Sequence, residues 1–457
     1  MFIETIKTEG LSHLSYVLGS EGVAAVVDPR RDCGVYTDIA AARGCRLTHV
    51  FETHRNEDIL SGARILAERT GATVHHGPNA AADVTYAETV REGDKFEVGR
   101  IRVHVIETPG HTDDSVSYVV YDADYPRAPI GVFTGDTLFV GDVGRCDFYP
   151  ERAEEVAGLM YDSLGKIVAL GEQAIVYPAH GAGSVCGSGM ADRDFSTIGH
   201  EIANNPRIAI ADREAFVRAK LAEHHEYPPY FERMERLNLT GAEPAKDTAP
   251  PPLSSQDVSL RADEVTLVDI RSAAAFLGAH LPNSLALPLN LIDTFAGWML
   301  DPDQPLVLVA EGPQDARAAA TRLVRIGYDN VVGFLGPDLV RWAASGRAFG
   351  TLDVISADAV AQRLEDPPAD WTLLDVRGLE EVESTRIPGS RHIYLGELPR
   401  RVDELDPDRC YTLMCGSGSR ATVAGSVLLR AGFARLDLFL GSLGAWKQRG
   451  FKTEDAA

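Results

Sequence analysis

Four short turns in the first half of the chain carry histidine or aspartate directly after an apolar run. They contain the candidate metal ligands His54, His111 and Asp136, and further along the chain His180. Residues at the ends of neighbouring strands share one edge of a sheet, so we expect these side chains to converge. Two neutral imidazoles and one carboxylate with open coordination positions suit non-haem Fe(II) and O₂ chemistry. A structural role is the alternative for any one turn, but four of them favour a metal site.

A second candidate centre is the segment "CGSGSR" at residues 415–420, which lies between an apolar strand-like run and a helical one. Its glycines let the loop curl so that successive backbone N–H groups point inward. These groups and the positive end of the helix would stabilise a thiolate, then a persulfide, on the catalytic candidate Cys415. A buried structural cysteine is the weaker alternative. The predicted persulfide loop consists of Gly416, Ser417, Gly418, Ser419 and Arg420, the last supplying positive charge.

This loop resembles that of rhodanese, a family of sulfurtransferases. The resemblance extends upstream to "LLDVR", which contains Asp375 and Arg377, and to "RIPGS". The loop of protein tyrosine phosphatases has similar physics but one more residue between cysteine and arginine. The resemblance therefore implies sulfur transfer through a Cys415 persulfide.

The four metal-site turns, in this order, resemble the metallo-β-lactamase fold. The stretches "TPGHTDDSVSYVV" and "TGDTLFVGDVGR" look more narrowly like the persulfide dioxygenase branch that carries rhodanese domains at its C-terminus. The resemblance covers nearly the whole chain. It implies one Fe(II) per chain on His54, His111 and Asp136, or zinc in the isolated protein.

The stretch "FETHRNEDILSG" departs from the H-x-H-x-D-H motif of the wider fold. Asn56 and Ile59 stand where that motif has its second and last histidines, so only Asp58 and His180 remain of a second metal site. Isoleucine cannot bind a metal, and a neutral amide is a poor zinc ligand. The departure argues against a dinuclear zinc hydrolase such as a glyoxalase II-like thioesterase. The effect of Asn56 on metal binding stays open.

Several residues are candidates for contacts beside the metal or with substrate. The resemblance implies that His180 lies near the metal without binding it, or touches substrate, and Asp58 belongs to the same group. Arg145 is a candidate for holding a substrate carboxylate, with a surface salt bridge as the alternative. Cys146 and Cys186 are predicted to face the same rim as plain small residues rather than nucleophiles.

The elements that must position these residues alternate between strands and helices. In residues 1–240 this alternation indicates a layered α/β domain, and the resemblance specifies an αββα metallo-β-lactamase sandwich. Residues 241–256 are rich in proline and polar residues, so they are predicted to form a linker. Beyond it the sequence repeats at a spacing of about 105 residues, which indicates a duplicated domain.

The duplicated units are predicted to be two α/β rhodanese-like domains with parallel sheets, at 257–350 and 351–457. In the first unit Ala310 stands at the position of Cys415, and Glu311 beside it would repel a sulfur anion. We therefore expect the first copy to be inactive and the second to be active.

The composition limits the partners. The formal net charge of −23 argues against a nucleic-acid or anionic-membrane partner. Six cysteines in 457 residues do not form a disulfide framework, and neither a secretory leader nor a run of membrane length is recognisable. We expect a cytoplasmic homo-oligomer whose partners are a small-molecule thiol persulfide, O₂, and sulfite or thiosulfate.

The leading functional hypothesis couples two reactions. An iron site oxidises a low-molecular-weight thiol persulfide to sulfite and thiol, and Cys415 transfers sulfur, forming or using thiosulfate. The alternative keeps only the sulfurtransferase, with a first domain that lacks metal or dioxygenase activity. A glyoxalase II-like thioesterase and a persulfide sensor are weaker hypotheses. The carrier thiol, which could be glutathione or coenzyme A, and the direction of sulfur transfer stay open.

Overall fold

The computed structural model describes residues 1–78, 82, 84–184, 186–187, 189–245, 248–337 and 339–455. The chain forms two compact units, Met1–Ala245 with Arg325–Gly327, and Lys246–Val324 with Tyr328–Ala457. Among the helices of the described residues, none is both long and apolar enough to cross a membrane.

Two six-stranded sheets form the centre of the first unit. The first sheet consists, in spatial order, of β1 (Phe2–Thr8), β2 (His13–Ser20), β3 (Val23–Val27), β4 (Arg46–Phe51), β5 (Thr73–His76) and β6 (Glu88–Thr89). The second consists, again in spatial order, of β7 (Lys95–Val98), β8 (Ile101–Glu107), β9 (Val116–Asp122), β10 (Gly131–Gly135), β11 (Ile175–Pro178) and β12 (Ser196–Thr197).

The first unit also contains helices, most of which pack on the outer faces of the sheets. They are α1 (Gly34–Ala42), α2 (Ala63–Thr70), α3 (Ala153–Val168), α4 (Ile198–Asn204), α5 (Arg213–Leu221) and α6 (Phe231–Thr240), with a 3₁₀ turn at Pro150–Arg152. Strand β2 shows how the layers form, because its alternate side chains point to opposite faces. Tyr16 packs between the two sheets against Phe133, whereas Val17 packs in the core that includes Tyr36 of α1.

The first of the two duplicated units has a four-stranded parallel sheet. Its strands are β13 (Thr266–Asp269), β14 (Leu285–Ala286), β15 (Leu306–Val309) and β16 (Val331–Leu335). Their spatial order is β14-β13-β15-β16. Its helices are α7 (Ser255–Arg261), α8 (Ala273–Gly278), α9 (Ile292–Met299), α10 (Pro313–Arg325) and α11 (Leu339–Ala344), with a 3₁₀ turn at Leu289–Leu291.

The second copy has seven strands, β17 (Asp353–Ile355), β18 (Trp371–Asp375), β19 (Thr385–Arg386), β20 (Arg391–His392), β21 (Cys410–Met414), β22 (Leu436–Phe439) and β23 (Glu454–Asp455). Its five-stranded sheet is parallel, in the order β17-β22-β21-β18-β20, and β19 pairs separately with β23. Its helices are α12 (Ala357–Glu365), α13 (Leu379–Ser384), α14 (Leu398–Arg401), α15 (Ser419–Arg430) and α16 (Ser442–Gln448), with a 3₁₀ turn at Val402–Glu404.

The predicted fold class is confirmed: an αββα sandwich precedes two α/β domains with parallel sheets. The last residues of the predicted linker 241–256 form hydrogen bonds. The backbone N–H of Leu253 donates to the carbonyl of Phe334 at 2.8 Å, and Ser254 and Asp257 form a reciprocal cap on α7. These bonds join the end of the segment to the first copy. The predicted domain boundaries stay predictions.

Candidate metal centre and thiol loop

The four candidate metal-site residues lie at one edge of the sandwich because each follows a strand. His54 follows β4, His111 follows β8, Asp136 follows β10 and His180 follows β11. The four residues are buried, each at most 2% exposed. Ligand atoms of His54, His111 and Asp136 lie within 4.8 Å of one another. The structure thus brings the predicted triad together.

The spacing within the triad fits a cation. His111 Nε2 lies 3.4 Å and His54 Nε2 3.9 Å from Asp136 Oδ2. Two atoms bound to one cation at about 2.1 Å stand about 3.0–3.4 Å apart, so the His111–Asp136 distance lies in this range and the His54–Asp136 distance exceeds it by about 0.5 Å. Both Nε2 atoms are buried and have no hydrogen-bond partner among the described residues. Because buried polar atoms are normally satisfied, these nitrogens and the carboxylate fit a metal ion.

Hydrogen bonds fix the tautomer of each imidazole. The Thr53 hydroxyl donates to Asp28 Oδ2 and lies 2.9 Å from His54 Nδ1, so it accepts that N–H. His111 Nδ1 donates to the carbonyl of Arg145 at 2.9 Å. In both rings the Nε2 lone pair is therefore free to bind a metal, which is the usual support around a ligating histidine.

Electrostatics at the triad also favours a cation. Burial by itself would lower the pKa of His111, but the carboxylates of Glu57 and Asp136 outweigh it and raise that pKa to about 9. Burial would raise the pKa of Asp136, but His180, His54 and His111 lower it below its usual range. Burial lowers the pKa of His54, which keeps this imidazole neutral. The carboxylates thus create a negative potential that a metal ion would neutralise.

The remaining parts of the motif form a second group beside the triad. His180 Nδ1 donates to Asp136 Oδ1 at 2.8 Å, and His180 Nε2 lies 3.0 Å from Asp58 Oδ2. Asp58, His180 and Cys186 offer ligand atoms within 4.8 Å of one another. The Asn56 Oδ1 atom is buried and has no hydrogen-bond partner among the described residues, and Ile59 is buried.

Glu57 is the residue at this edge that sequence reasoning missed. It is only 1% exposed, and its Oε1 atom lies 3.2 Å from His111 Nε2. The Cys186 thiol donates to the same oxygen at 3.4 Å. The motif gave no signal, because Glu57 stands at one of its variable positions. The only hint was its acidic side chain directly before Asp58.

The thiol loop curls around Cys415 between β21 and α15. The Gly418 N–H donates to Cys415 Sγ at 3.1 Å, and Gly418 has a φ of +122°, which favours glycine. The Ser442 hydroxyl accepts from the Cys415 N–H at 3.0 Å. The Gly441 N–H donates to the carbonyl of Ser417 at 3.0 Å. A backbone donor aimed at sulfur is the arrangement that stabilises a thiolate.

Arg420 lies at the start of α15 but is engaged by a carboxylate. Its NH1 and NH2 groups donate to Glu381 at 2.5 and 2.8 Å. Ser419 begins the same helix, and Gly416 accepts from the Gly444 N–H through its carbonyl. The positive charge of Arg420 is therefore paired with the carboxylate of Glu381.

Family models match both parts of the chain. The metallo-beta-lactamase superfamily model matches residues 8–180, and the rhodanese-like domain model matches residues 255–345 and 356–449. The chain is a metallo-β-lactamase-superfamily domain followed by two rhodanese-like domains. The predicted fusion architecture is thus confirmed.

Curated relatives match part of the chain. Hydroxyacylglutathione hydrolase from Brucella anthropi is 39% identical over 140 residues, which cover 30% of this chain and 49% of the relative. The Brucella ovis protein of the same name is 38% identical over the same length. The chain therefore spans about half the length of these relatives.

Two solved structures are similar to larger parts of the chain. A metallo-beta-lactamase from Staphylococcus aureus COL is 28% identical, with a TM-score of 0.67, covering 74% of this chain and 99% of that one. ETHE1 from Myxococcus xanthus is 31% identical, with a TM-score of 0.45, covering 52% of this chain and 98% of that one. The first of these shares most of the present fold.

Arg145 and Cys146 in the metallo-β-lactamase domain are placed differently from what the sequence led us to expect. Arg145 does form a salt bridge, donating to Asp147 at 2.6 Å, but its side chain is buried because Phe148 and Phe231 cover the guanidinium. Arg145 therefore forms the expected salt bridge, but its own side chain is buried rather than on the surface. Cys146 packs in the core of the second sheet and its helices, whereas Cys186 does lie at the metal edge.

The two rhodanese-like domains differ at the position of Cys415. Ala310 directly follows β15 in the first copy, as Cys415 directly follows β21 in the second. Asp375 and Arg377 form a buried pair at 2.7 Å, and Arg377 also donates to the carbonyl of Thr385. These contacts fix Arg377 between the end of β18 and the start of β19.

Proposed function

We propose that this protein oxidises a low-molecular-weight thiol persulfide to sulfite and thiol at an Fe(II) site, and transfers sulfur through a Cys415 persulfide. The iron would be held by His54, His111 and Asp136. The persulfide loop of the second rhodanese-like domain would form or use thiosulfate.

The observation that carries the proposal is the buried triad with two unpartnered imidazole nitrogens. Two histidines and one carboxylate leave positions open on an iron ion. The positions that a dinuclear hydrolase would need are altered, because Ile59 offers no ligand atom. These features favour a single redox metal over a pair of zinc ions.

When bound, Fe(II) supplies the capacity to bind and activate O₂ that the side chains lack. The chain's own residues hold the site in place. Thr53 and the Arg145 carbonyl orient His54 and His111, and His180 donates to Asp136. Phe148 packs edge-on against His111 at 5.1 Å between ring centroids, which limits water beside that ligand.

The sulfur transfer needs only the thiol loop. The Cys415 thiolate attacks the outer sulfur of a persulfide, forming a new S–S bond while the donor thiolate leaves. Sulfite then attacks that outer sulfur, which forms thiosulfate and returns the Cys415 thiolate. The Gly418 N–H, 3.1 Å from Sγ, would stabilise the anion before and after transfer.

Metal content and O₂ uptake test the dioxygenase half. Elemental analysis of the protein purified without oxygen should give about one iron per chain, and glutathione persulfide should trigger O₂ consumption with release of sulfite. Metal-free protein that still forms thiosulfate from persulfide and sulfite would overturn this half and leave the sulfurtransferase.

Thioester hydrolysis is the second candidate, favoured by the likeness to hydroxyacylglutathione hydrolases over 140 residues. That likeness covers about half of those relatives, and Asn56 and Ile59 depart from a dinuclear motif. Two zinc ions per chain, with hydrolysis of an acyl-glutathione thioester and no O₂ uptake, would establish it against the first proposal.

A further inference from the structure

An unexplained carboxylate stands inside the candidate metal centre. Glu57 lies on the segment between β4 and α2 and is 1% exposed. Its Oε1 atom is 3.2 Å from His111 Nε2, and its Oε2 atom is 3.9 Å from His54 Nε2. The two nitrogens that the triad offers to a metal are therefore the two that Glu57 faces.

Only one oxygen of this buried carboxylate has close partners among the described residues. The Cys186 thiol donates to Oε1 at 3.4 Å and His111 Nε2 lies 3.2 Å from the same atom, whereas Oε2 has no hydrogen-bond partner among those residues. Leaving an oxygen of a buried, ionised carboxylate unpaired is unfavourable, because the charge has lost its contacts with water. A cation between Glu57 and the two histidines would remove that cost.

The backbone holds Glu57 in this position. The Asn238 side chain on α6 donates to the carbonyls of Asn56 and Ile59 at 2.8 and 2.9 Å, and accepts from the Ser61 N–H. The Tyr230 hydroxyl donates to the carbonyl of Asp58 at 3.2 Å. The segment is thus clamped on both sides of Glu57, which presents the carboxylate to the site.

We propose that Glu57 is a fourth protein ligand of the metal ion held by His54, His111 and Asp136. The inference rests on the metal site of the proposed function. Its distance to His111 Nε2 falls within the about 3.0–3.4 Å that separates two ligands of one cation. An octahedral ion with four protein ligands keeps two positions, enough for a persulfide sulfur and O₂.

The direct test is the crystal structure of the unaltered protein grown with Fe(II) without oxygen. An oxygen of Glu57 should lie at about 2.0–2.2 Å from the iron, which anomalous scattering would locate. A separation above about 3 Å would overturn the proposal, since that distance is a hydrogen-bond contact rather than a bond. Glu57 bound only to a second cation, held by Asp58, His180 and Cys186, would overturn it as well.

Variants give an independent readout. Glu57→Gln should weaken Fe(II) binding by about tenfold or more in a chelator competition. In protein loaded with Mn(II), water-proton relaxation should report one more bound water, because the vacated position is filled by solvent. A purely structural role would leave the number of bound waters unchanged, and that result would contradict the proposal.

Glu52→Gln is the matched control. Glu52 is also a buried glutamate of this segment, but it accepts from the hydroxyls of Ser61 and Tyr86 and lies outside the metal group. Its variant should keep the water number and Fe(II) affinity. The inference and the proposed function can fail separately. If the protein consumes O₂ with persulfide but Glu57 does not bind the iron, only the inference is wrong. If Glu57 binds the iron but persulfide is not oxidised, only the proposed function is wrong.

Discussion

Gly135 illustrates how single residues set the geometry of the metal centre. It ends β10 with a φ of +54°, and a Cβ atom there would lie 2.6 Å from Thr53 Oγ1 and 3.5 Å from His54 Nδ1. Gly135→Ala should therefore displace the hydroxyl that orients His54. We predict a loss of Fe(II) affinity of about tenfold or more, measured by chelator competition.

Gly71→Ala is the control for backbone strain. Gly71 caps α2 with a φ of +73°, and a Cβ atom there meets nothing within 4 Å. The variant should lose about 1 kcal/mol of stability from the left-handed conformation alone, with unchanged Fe(II) affinity. Equal losses of affinity in both variants would show that Gly135 acts through general strain rather than through Thr53.

The sequence allowed prediction of the residues that occupy defined positions after apolar strands. The turns with His54, His111, Asp136 and His180 were found in this way, because strand ends share one edge of a sheet, and the family resemblance selected the first three as the ligands. Glu57 was not, since nothing in its spacing says whether its side chain points into the site or to solvent. The distinction between Cys186 and Cys146 likewise depends on packing between segments distant in the sequence.

At the scale of elements, strands β4 and β5 contain a contact between a half-buried and a buried histidine, which should make the fold sensitive to acid. His49 Nδ1 lies 2.9 Å from His75 Nε2 across the two strands. Burial, then the neighbouring His49, lower the pKa of His75 to about 4, and burial lowers the pKa of His49. Below their unfolded pKa values both imidazoles take up protons more readily in the unfolded chain.

The sign of the resulting pH dependence follows from the lowered pKa. Stability from neutral His75 is fully present above about pH 6.5 and is lost as the pH falls toward about 4. Between about pH 7 and pH 5 the free energy of unfolding should fall by about 2 kcal/mol through this residue. Urea unfolding at the two pH values measures it, and His75→Gln should reduce the difference. His224→Gln, which alters an exposed histidine, should not; an equal reduction in both would refute the assignment.

At the scale of the whole molecule, the two candidate centres belong to different compact units. The metal triad lies in Met1–Ala245, and Cys415 lies in the unit that contains both rhodanese-like domains. The duplication was visible in the sequence because the repeat is as long as a domain. The contrast between Ala310 and Cys415 is the basis for predicting an inactive first copy and an active second one. Glu381, which pairs with Arg420, was not predictable, since it comes from α13, outside the loop.

Separate centres predict separable reactions. Cys415→Ser removes the sulfur that must carry the persulfide, so sulfur transfer from thiosulfate to a thiol should fall below detection while persulfide-dependent O₂ uptake persists. Cys410→Ser should leave both reactions intact, because that thiol lies at the start of β21, at the opposite end of the strand from the loop. His111→Ala should abolish persulfide-dependent O₂ uptake and leave sulfur transfer intact. Loss of O₂ uptake in Cys415→Ser protein that still binds iron would mean that the oxidised persulfide is the one on Cys415, and the model of two independent centres would then be wrong.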